Sequence, residues 1–315
     1  MAISLRSSRP AQSDVAIVLC TDARFLVPAT AVAHQLATSG ATENIDIVLT
    51  VTEDCHIPPS LDFLNLRICH LDTADLFEGL YIGERHTAAA YHRLALPEAF
   101  SSDYKRILYL DGDVFFHGGD LAAFLRQDMQ GYTLAAVLDE PMWFDTDIHY
   151  EPLKTCGLGY GRYFNSGVLL IDVASFVERN ILNRCIQFGL ENRHRVTQHD
   201  QQLLNCVLHR DWLELDRTWN WQHVARDDVY QRDNPVKFTH FTGLLKPWSD
   251  HKHRLPAHFK RPLRAFVRTH FPDYSERPTL ERWRRYKDWR RLLRGRTRLE
   301  AKAKLEKIRA MLATQ

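Results

Sequence analysis

Residues 105–116 read KRILYLDGDVFF. Arg106 to Leu110 form a short, mostly apolar run of strand character that ends on Asp-Gly-Asp. Such a strand carries Asp111 and Asp113 to its C-terminal end, where open α/β sheets place their ligands. Gly112 removes side-chain bulk between the two acids and permits a turn. Two carboxylates this close repel unless a cation sits between or beside them. Mg2+ and Mn2+ favour hard oxygen sites of this kind, with phosphate oxygens completing the shell. The competing reading is a strand that ends in a solvated acidic turn.

Outward from this strand, apolar runs and helical spacings alternate. Val15 to Cys20, Ile45 to Val51, Leu66 to Leu71 and Leu134 to Leu138 read as strands, and Val114 to Phe116 as a short one. Phe25 to Leu36 and Ala88 to Leu96 read as helices, the second stopping near Pro97. This rhythm predicts an α/β layer structure with a mainly parallel sheet. Past Tyr150 a loop rich in glycine and tyrosine leads into a strand at Gly167 to Ile171. Helical patterns follow at Ala174 to Phe188 and His199 to Leu208, then a short strand at Val236 to His240.

The 315 residues are 45% hydrophobic and 25% charged, which excludes a largely disordered chain and fits one large domain or two small ones. The first residues hold no apolar core of signal-peptide length, and nowhere do about 18 apolar residues run together, so a soluble chain is expected. Six scattered cysteines without a C-x-x-C pair fit a reducing, cytoplasmic setting. The net charge of +2 hides an asymmetry: from Glu276 onward 14 Lys and Arg face 5 Asp and Glu, leaving the rest of the chain at −7.

From Glu281 that tail reads ERWRRYKDWRRLLRGRTR, with Trp283, Tyr286 and Trp289 among the arginines, and Ala301, Leu305, Ile308 and Leu312 recur at helical spacing. A basic amphipathic helix with interfacial aromatics suits an anionic membrane surface. The same charges would serve nucleic acid, a less favoured partner, and the apolar stripe could instead pack on the body or dimerise.

Three further segments carry polar groups suited to chemistry. In HFTGLLKPW, residues 240–248, His240 closes a strand, Gly243 permits close backbone approach and Lys246 offers a point charge to phosphate. In YFNSGVLLID, residues 163–172, Asn165 can donate and accept at once, as sugar hydroxyls require. In QHDQQLLN, residues 198–205, Asp200 and Gln201 open a helix; capping by Asp200 and exposed glutamines is the plain alternative.

Together with the Asp-Gly-Asp strand, and in this order, these segments resemble the retaining nucleotide-sugar glycosyltransferases of family 8, the lipopolysaccharide galactosyltransferase and glycogenin type. The resemblance spans about Val15 to Trp248. It implies a GT-A-type nucleotide-sugar-binding fold over residues 14–275, a flexible N-terminus at 1–13 and a basic helical extension at 276–315. It also implies Mn2+, with Mg2+ as a substitute, held by Asp111, Asp113 and His240 across the diphosphate of a UDP-sugar, either UDP-glucose or UDP-galactose. Gly112 lies between the metal-binding acids at the donor, and Gly243 and Lys246 match diphosphate contacts. Asp22 and Phe25, in VLCTDARF, take the place of the uridine loop. Arg93 matches a donor-binding arginine, and Asp139 an acidic sugar-binding position. Asn165, Asp200 and Gln201 would line the sugar pocket, Gln201 nearest the anomeric carbon. The implied acceptor is a cell-surface glycan such as lipopolysaccharide, including a lipid-linked one, met at the inner face of the cytoplasmic membrane. Other readings are a metal-dependent nucleotide-sugar hydrolase or nucleotidyltransferase, or a non-catalytic membrane- or nucleic-acid-binding protein on a transferase fold.

Overall fold

A computed structural model of the protein describes residues 3–82, 88–143, 150–159, 161–223, 228–250 and 254–274. The expected tail at 276–315 lies outside them. The strands are β1 (Ser4–Ser7), β2 (Val15–Thr21), β3 (Asp46–Val51), β4 (Arg67–Asp72), β5 (Arg106–Leu110), β6 (Val114–Phe116), β7 (Leu134–Leu138), β8 (Phe164–Asp172), β9 (Leu213–Glu214), β10 (Trp221–Gln222) and β11 (Phe238–His240). The helices are α1 (Leu26–Thr38), α2 (His92–Ala99), α3 (Leu121–Leu125), α4 (Glu151–Lys154), α5 (Val173–Glu178), α6 (Ile181–Glu191), α7 (His199–Val207), α8 (Asp228–Asp233) and α9 (Ala257–His270).

Eight strands form one sheet in the order β1-β4-β3-β2-β5-β8-β7-β9. The run β4-β3-β2-β5 is parallel, whereas β5-β8-β7 is antiparallel. Val15 to Leu19 of β2 are almost wholly buried, as befits a parallel strand covered on both faces. From β2 the chain winds through β3 and β4 to one side, then returns to place β5 on the other. That reversal makes the C-terminal ends of β2 and β5 a topological switch point, the usual location of a ligand crevice. Asp22 and Asp111 follow those two ends directly.

β6 leaves the large sheet and joins a second one, ordered β10-β11-β6. There β11 runs antiparallel to β6 with His240 opposite Val114, so strand pairing sets His240 beside Asp113. Among the described residues no helix is long and apolar enough to cross a membrane.

Three local expectations are corrected. Residues 4–7 are not a free terminus but edge strand β1, paired antiparallel with β4. The stretch that follows, from Arg9 to Gln12, is tied down by Asp46, whose carboxylate accepts from the Gln12 amide at 2.8 Å and the Arg9 guanidinium at 2.9 Å, and also from the Tyr104 hydroxyl at 2.9 Å. α2 does not stop at Pro97 but runs to Ala99, because burying Leu94, Ala95 and Leu96 outweighs one missing backbone hydrogen bond. The helix expected over Ala174 to Phe188 is two helices, α5 and α6. They are separated at Asn180, whose φ of +52° is the left-handed conformation asparagine tolerates.

Burial raises the Asp46 carboxyl, yet the Gln12 amide, Arg9 and Tyr104 together hold it below the usual carboxylate range. A depressed folded-state value contributes stability above the unfolded value, about pH 3.9, which is lost as pH falls. Asp46→Asn is therefore expected to cost about 2–3 kcal/mol at pH 7, with the gap to wild type narrowing as pH falls below the unfolded value. Urea denaturation of both proteins at pH 7 and pH 3 checks this; a gap of the same size at both would show that the ionised carboxylate is not what holds the terminus.

Candidate active site

The site assembles where β5 and β11 end and the antiparallel β8 begins. Asp111 and Asp113 flank Gly112, and a side chain at Gly112 would press on Ala29 of α1 at 3.3 Å. His240 Nε2 stands 3.3 Å from Asp113 Oδ1 and 3.6 Å from Asp111 Oδ2. One ligand atom from each of the three residues lies within 4.8 Å of the other two. This close approach depends on Gly167 of β8: a Cβ there would sit 2.1 Å from His240 Cε1 and 2.8 Å from Asp111 Oδ2.

Arg93 of α2 is the hub of the adjoining charge network. Its guanidinium lies 3.0 Å from Asp111 and 3.1 Å from Asp200, and it donates to the Ser166 carbonyl at 2.8 Å. It also stacks 4.4 Å above the ring of Tyr109, whose hydroxyl donates to Asp111 at 2.6 Å. Burial opposes its charge, but Asp111 and Asp200 outweigh burial and hold it ionised. Asp200, in the first turn of α7, is pushed up to about 6 by burial and, to a smaller extent, by Asp111; Arg93 and the Ser166 hydroxyl restrain the rise. Ser166 Oγ donates to Asp200 at 2.9 Å, and the Ser166 amide donates to Gln201 Oε1 at 3.0 Å. The start of α7 is thereby pinned to β8, so Gln201 is not the exposed glutamine of the plain reading.

On the far side Asp139, at the end of β7, is raised by burial against the hydrogen bonds of Tyr150 and Asn165. Asn165 Nδ2 donates to Asp139 at 3.2 Å, and Asn165 Oδ1 accepts from the Gly167 amide at 3.1 Å and from Asn220 at 2.9 Å. Asn220 in turn meets His240 Nδ1 at 3.0 Å.

Lys246 does not point into open space: its amine pairs with Asp113 and donates to the Phe241 carbonyl. Burial raises the Asp113 carboxyl, but Lys246 and His240 outweigh it and hold the group well below its ordinary value. Gly243 adopts a φ of +79°, a conformation that favours glycine. Asp22 accepts from the backbone amides of Arg24 and Phe25 at 3.0 and 3.2 Å, shaping the turn after β2. Phe25 is 44% exposed and meets Trp248 edge-on at 6.1 Å, which joins this turn to the loop carrying Lys246. The expected residues therefore converge. Ser166, Gly167, Tyr109, Tyr150 and Asn220 join them without having been singled out for function. Only Gly167, inside the quoted NSGV, gave a signal that could have found it.

Residues 16–252 match the model of glycosyl transferase family 8. The chain belongs to that family. It is 33% identical over 190 residues to glycosyltransferase GlyF of Streptococcus pneumoniae serotype 4, covering 58% of this chain and 43% of the relative. It is 29% identical over 194 residues to the lipopolysaccharide 1,3-galactosyltransferase of Salmonella typhimurium, covering 58% and 55%. The matches thus span about half the length of these two relatives. In fold, this family 8 member is similar to the galactosyltransferase LgtC, solved in complex with donor and acceptor sugar analogs. The TM-score is 0.67 at 20% identity, over 86% of this chain and 99% of LgtC. The fold is of the GT-A type, α/β with a large, mostly parallel sheet.

Proposed function

We propose that this family 8 protein transfers glucose or galactose from a UDP-sugar to a cell-surface glycan acceptor such as lipopolysaccharide, with retention at the anomeric carbon. The observation that carries the reading is the convergence of Asp111, Asp113 and His240 at the switch point, within 4.8 Å of one another. Two carboxylates and an imidazole form a suitable donor set for Mn2+, with Mg2+ as a substitute. When bound, the metal would neutralise charge on the departing diphosphate.

The chain's own groups have distinct tasks. Lys246 supplies a cation to the diphosphate, and the Gly243 turn lets the backbone approach it. Phe25, with Asp22 shaping its turn, offers a ring face to the uracil. Arg93 holds Asp111 and Asp200 in place at the donor. Asp139 and Asn165 read sugar hydroxyls, although Asn165 spends most of its hydrogen-bonding capacity on the protein. A carboxamide is a poor nucleophile, and Gln201 Oε1 already accepts from Ser166, so a covalent glycosyl-enzyme is not favoured. In a front-face displacement the bond from the anomeric carbon to the β-phosphate oxygen breaks and the acceptor oxygen bonds to that carbon. The acceptor proton passes to the departing phosphate oxygen. Gln201 and Asp200 then stabilise the positive charge on the sugar.

The lipopolysaccharide 1,3-galactosyltransferase above and the lipopolysaccharide glucosyltransferase WaaO of Escherichia coli, 28% identical over 190 residues, support the hexose and the acceptor class. The basic residues of 276–315 support a peripheral position on the inner face of the cytoplasmic membrane, where a lipid-linked acceptor would lie.

Calorimetric titration of UDP, UDP-glucose and UDP-galactose with and without Mn2+ tests the reading; no nucleotide binding in either condition would sink it. Gln201→Ala is expected to lower kcat about 100-fold while leaving UDP and Mn2+ affinity nearly unchanged. Loss of nucleotide affinity instead would remove Gln201 from its assigned place.

A further inference from the structure

Asn220 is fully buried at the end of the 3-10 turn Arg217–Asn220, directly before β10. Both ends of its amide are engaged, one with Asn165 at 2.9 Å and one with His240 Nδ1 at 3.0 Å. Which end is oxygen follows from the neighbours. The Gly167 backbone N–H can only donate, and it reaches Asn165 at 3.1 Å, so that end of Asn165 is its oxygen. The nitrogen end of Asn165 then faces Asp139 at 3.2 Å. Because Asn220 meets the same Asn165 oxygen, it must present its own NH2 there, which turns its oxygen toward His240. A carboxamide oxygen only accepts, so His240 Nδ1 carries a hydrogen. Nε2 is the ring nitrogen left facing Asp113 and Asp111, at 3.3 and 3.6 Å.

We propose that Asn220 is a positioning residue that sets the tautomer and ring orientation of His240, through a hydrogen-bond chain whose direction is fixed by the Gly167 amide. Its consequence for metal binding rests on the reading of Asp111, Asp113 and His240 given above. Asn220 touches neither donor nor metal: it acts by keeping Nε2 available as a ligand. The missing Cβ at Gly167 serves the same end, since it opens the space the ring occupies. Partners that orient a ligating histidine are typically worth about 10–100-fold in metal affinity.

The test reads the ring nitrogens directly. The full chain is labelled with 15N-histidine, and the His240 signals are identified by their loss in His240→Gln. In the metal-free wild type, and with diamagnetic Mg2+ added, Nδ1 is expected to carry hydrogen. Asn220→Leu, of similar bulk but without an acceptor, is expected to move the hydrogen to Nε2 and weaken Mn2+ binding about 10–100-fold in calorimetry without nucleotide. Asn220→Asp, which loses the donor to Asn165 but still accepts from Nδ1, is expected to keep the Nδ1 hydrogen and to bind Mn2+ more tightly than Asn220→Leu. A wild type with a bare Nδ1 overturns the proposal, as does Asn220→Leu that folds with tautomer and Mn2+ affinity unchanged. If Asn220→Leu fails to fold, the wild-type spectrum and Asn220→Asp still decide. Nδ1–H in a wild type that binds no Mn2+ would overturn the metal reading alone and leave the role of Asn220 toward His240 standing.

Discussion

Asp113→Ala is expected to weaken Mn2+-dependent binding of a UDP-sugar by at least about 100-fold while leaving the protein folded. Losing a group that merely orients a ligand costs about 10–100-fold, so losing the ligand itself should cost no less than the upper end. The structure adds a second consequence, because Asp113 is shared. Lys246 already lies on one of its oxygens, and His240 faces the other at 3.3 Å. Lys246 therefore stands as a cation beside Asp113, and a metal held by Asp111, Asp113 and His240 would share that carboxylate with it. With a metal on Asp113, the Lys246 amine would be free to pair with the diphosphate instead. Asp113→Ala removes the carboxylate partner of Lys246 without any metal and leaves its half-buried amine on the Phe241 carbonyl, uncompensated and available to an anion. The variant is thus expected to retain weak, metal-independent and salt-sensitive UDP binding. Calorimetry of both proteins with Mn2+, with EDTA and at two salt concentrations checks both halves. Mn2+-dependent binding that survives in the variant would rule Asp113 out as a ligand.

The boundaries of β5, β6 and β7 were legible because each is a short apolar run closed by polar or glycine residues. The partnership of β6 was not. Nothing in VFF says that the chain leaves the large sheet after Asp113 to pair with residues 238–240, yet that pairing brings His240 to the acids. Asp111 and Asp113 stood out by charge repulsion alone, and His240 and Lys246 by their place in HFTGLLKPW. Arg93 entered only through the resemblance, since one arginine in YHRL has no local signature. Its role depends on Asp200, more than 100 residues away in sequence. Asn220 gave no signal because a buried amide between two tryptophans reads as part of an aromatic loop. Its meaning comes from hydrogen bonds that join the turn before β10 to β8 and β11. The break at Asn180 was hidden for the opposite reason: the helical pattern continues through it, and only the backbone angle departs.

Arg93→Met is expected to be the most destabilising substitution in the site, costing about 3–5 kcal/mol at pH 7–8. The change keeps much of the side-chain bulk but leaves Asp200, almost fully buried, and Asp111 without their shared cation. Arg93→Lys is expected to recover part of the loss, because an ammonium cannot reach both carboxylates and the Ser166 carbonyl with fixed fork geometry. The deficit should depend on pH with a definite sign. In the wild type burial already pushes Asp200 up to about 6, and Arg93 restrains the rise, so removing Arg93 moves the carboxyl further up. A raised folded-state value favours folding below the unfolded value, and that contribution is lost as pH rises through the folded one. The Met variant should therefore lose stability relative to wild type as pH climbs through neutrality and regain it toward pH 5, where Asp200 takes up a proton. Urea denaturation at pH 5 and pH 8 distinguishes this from simple loss of packing, which would give the same deficit at both. A pH-independent deficit would mean that Asp200 is not held as a carboxylate by Arg93, and that the arginine acts in this site mainly as a spacer over Tyr109.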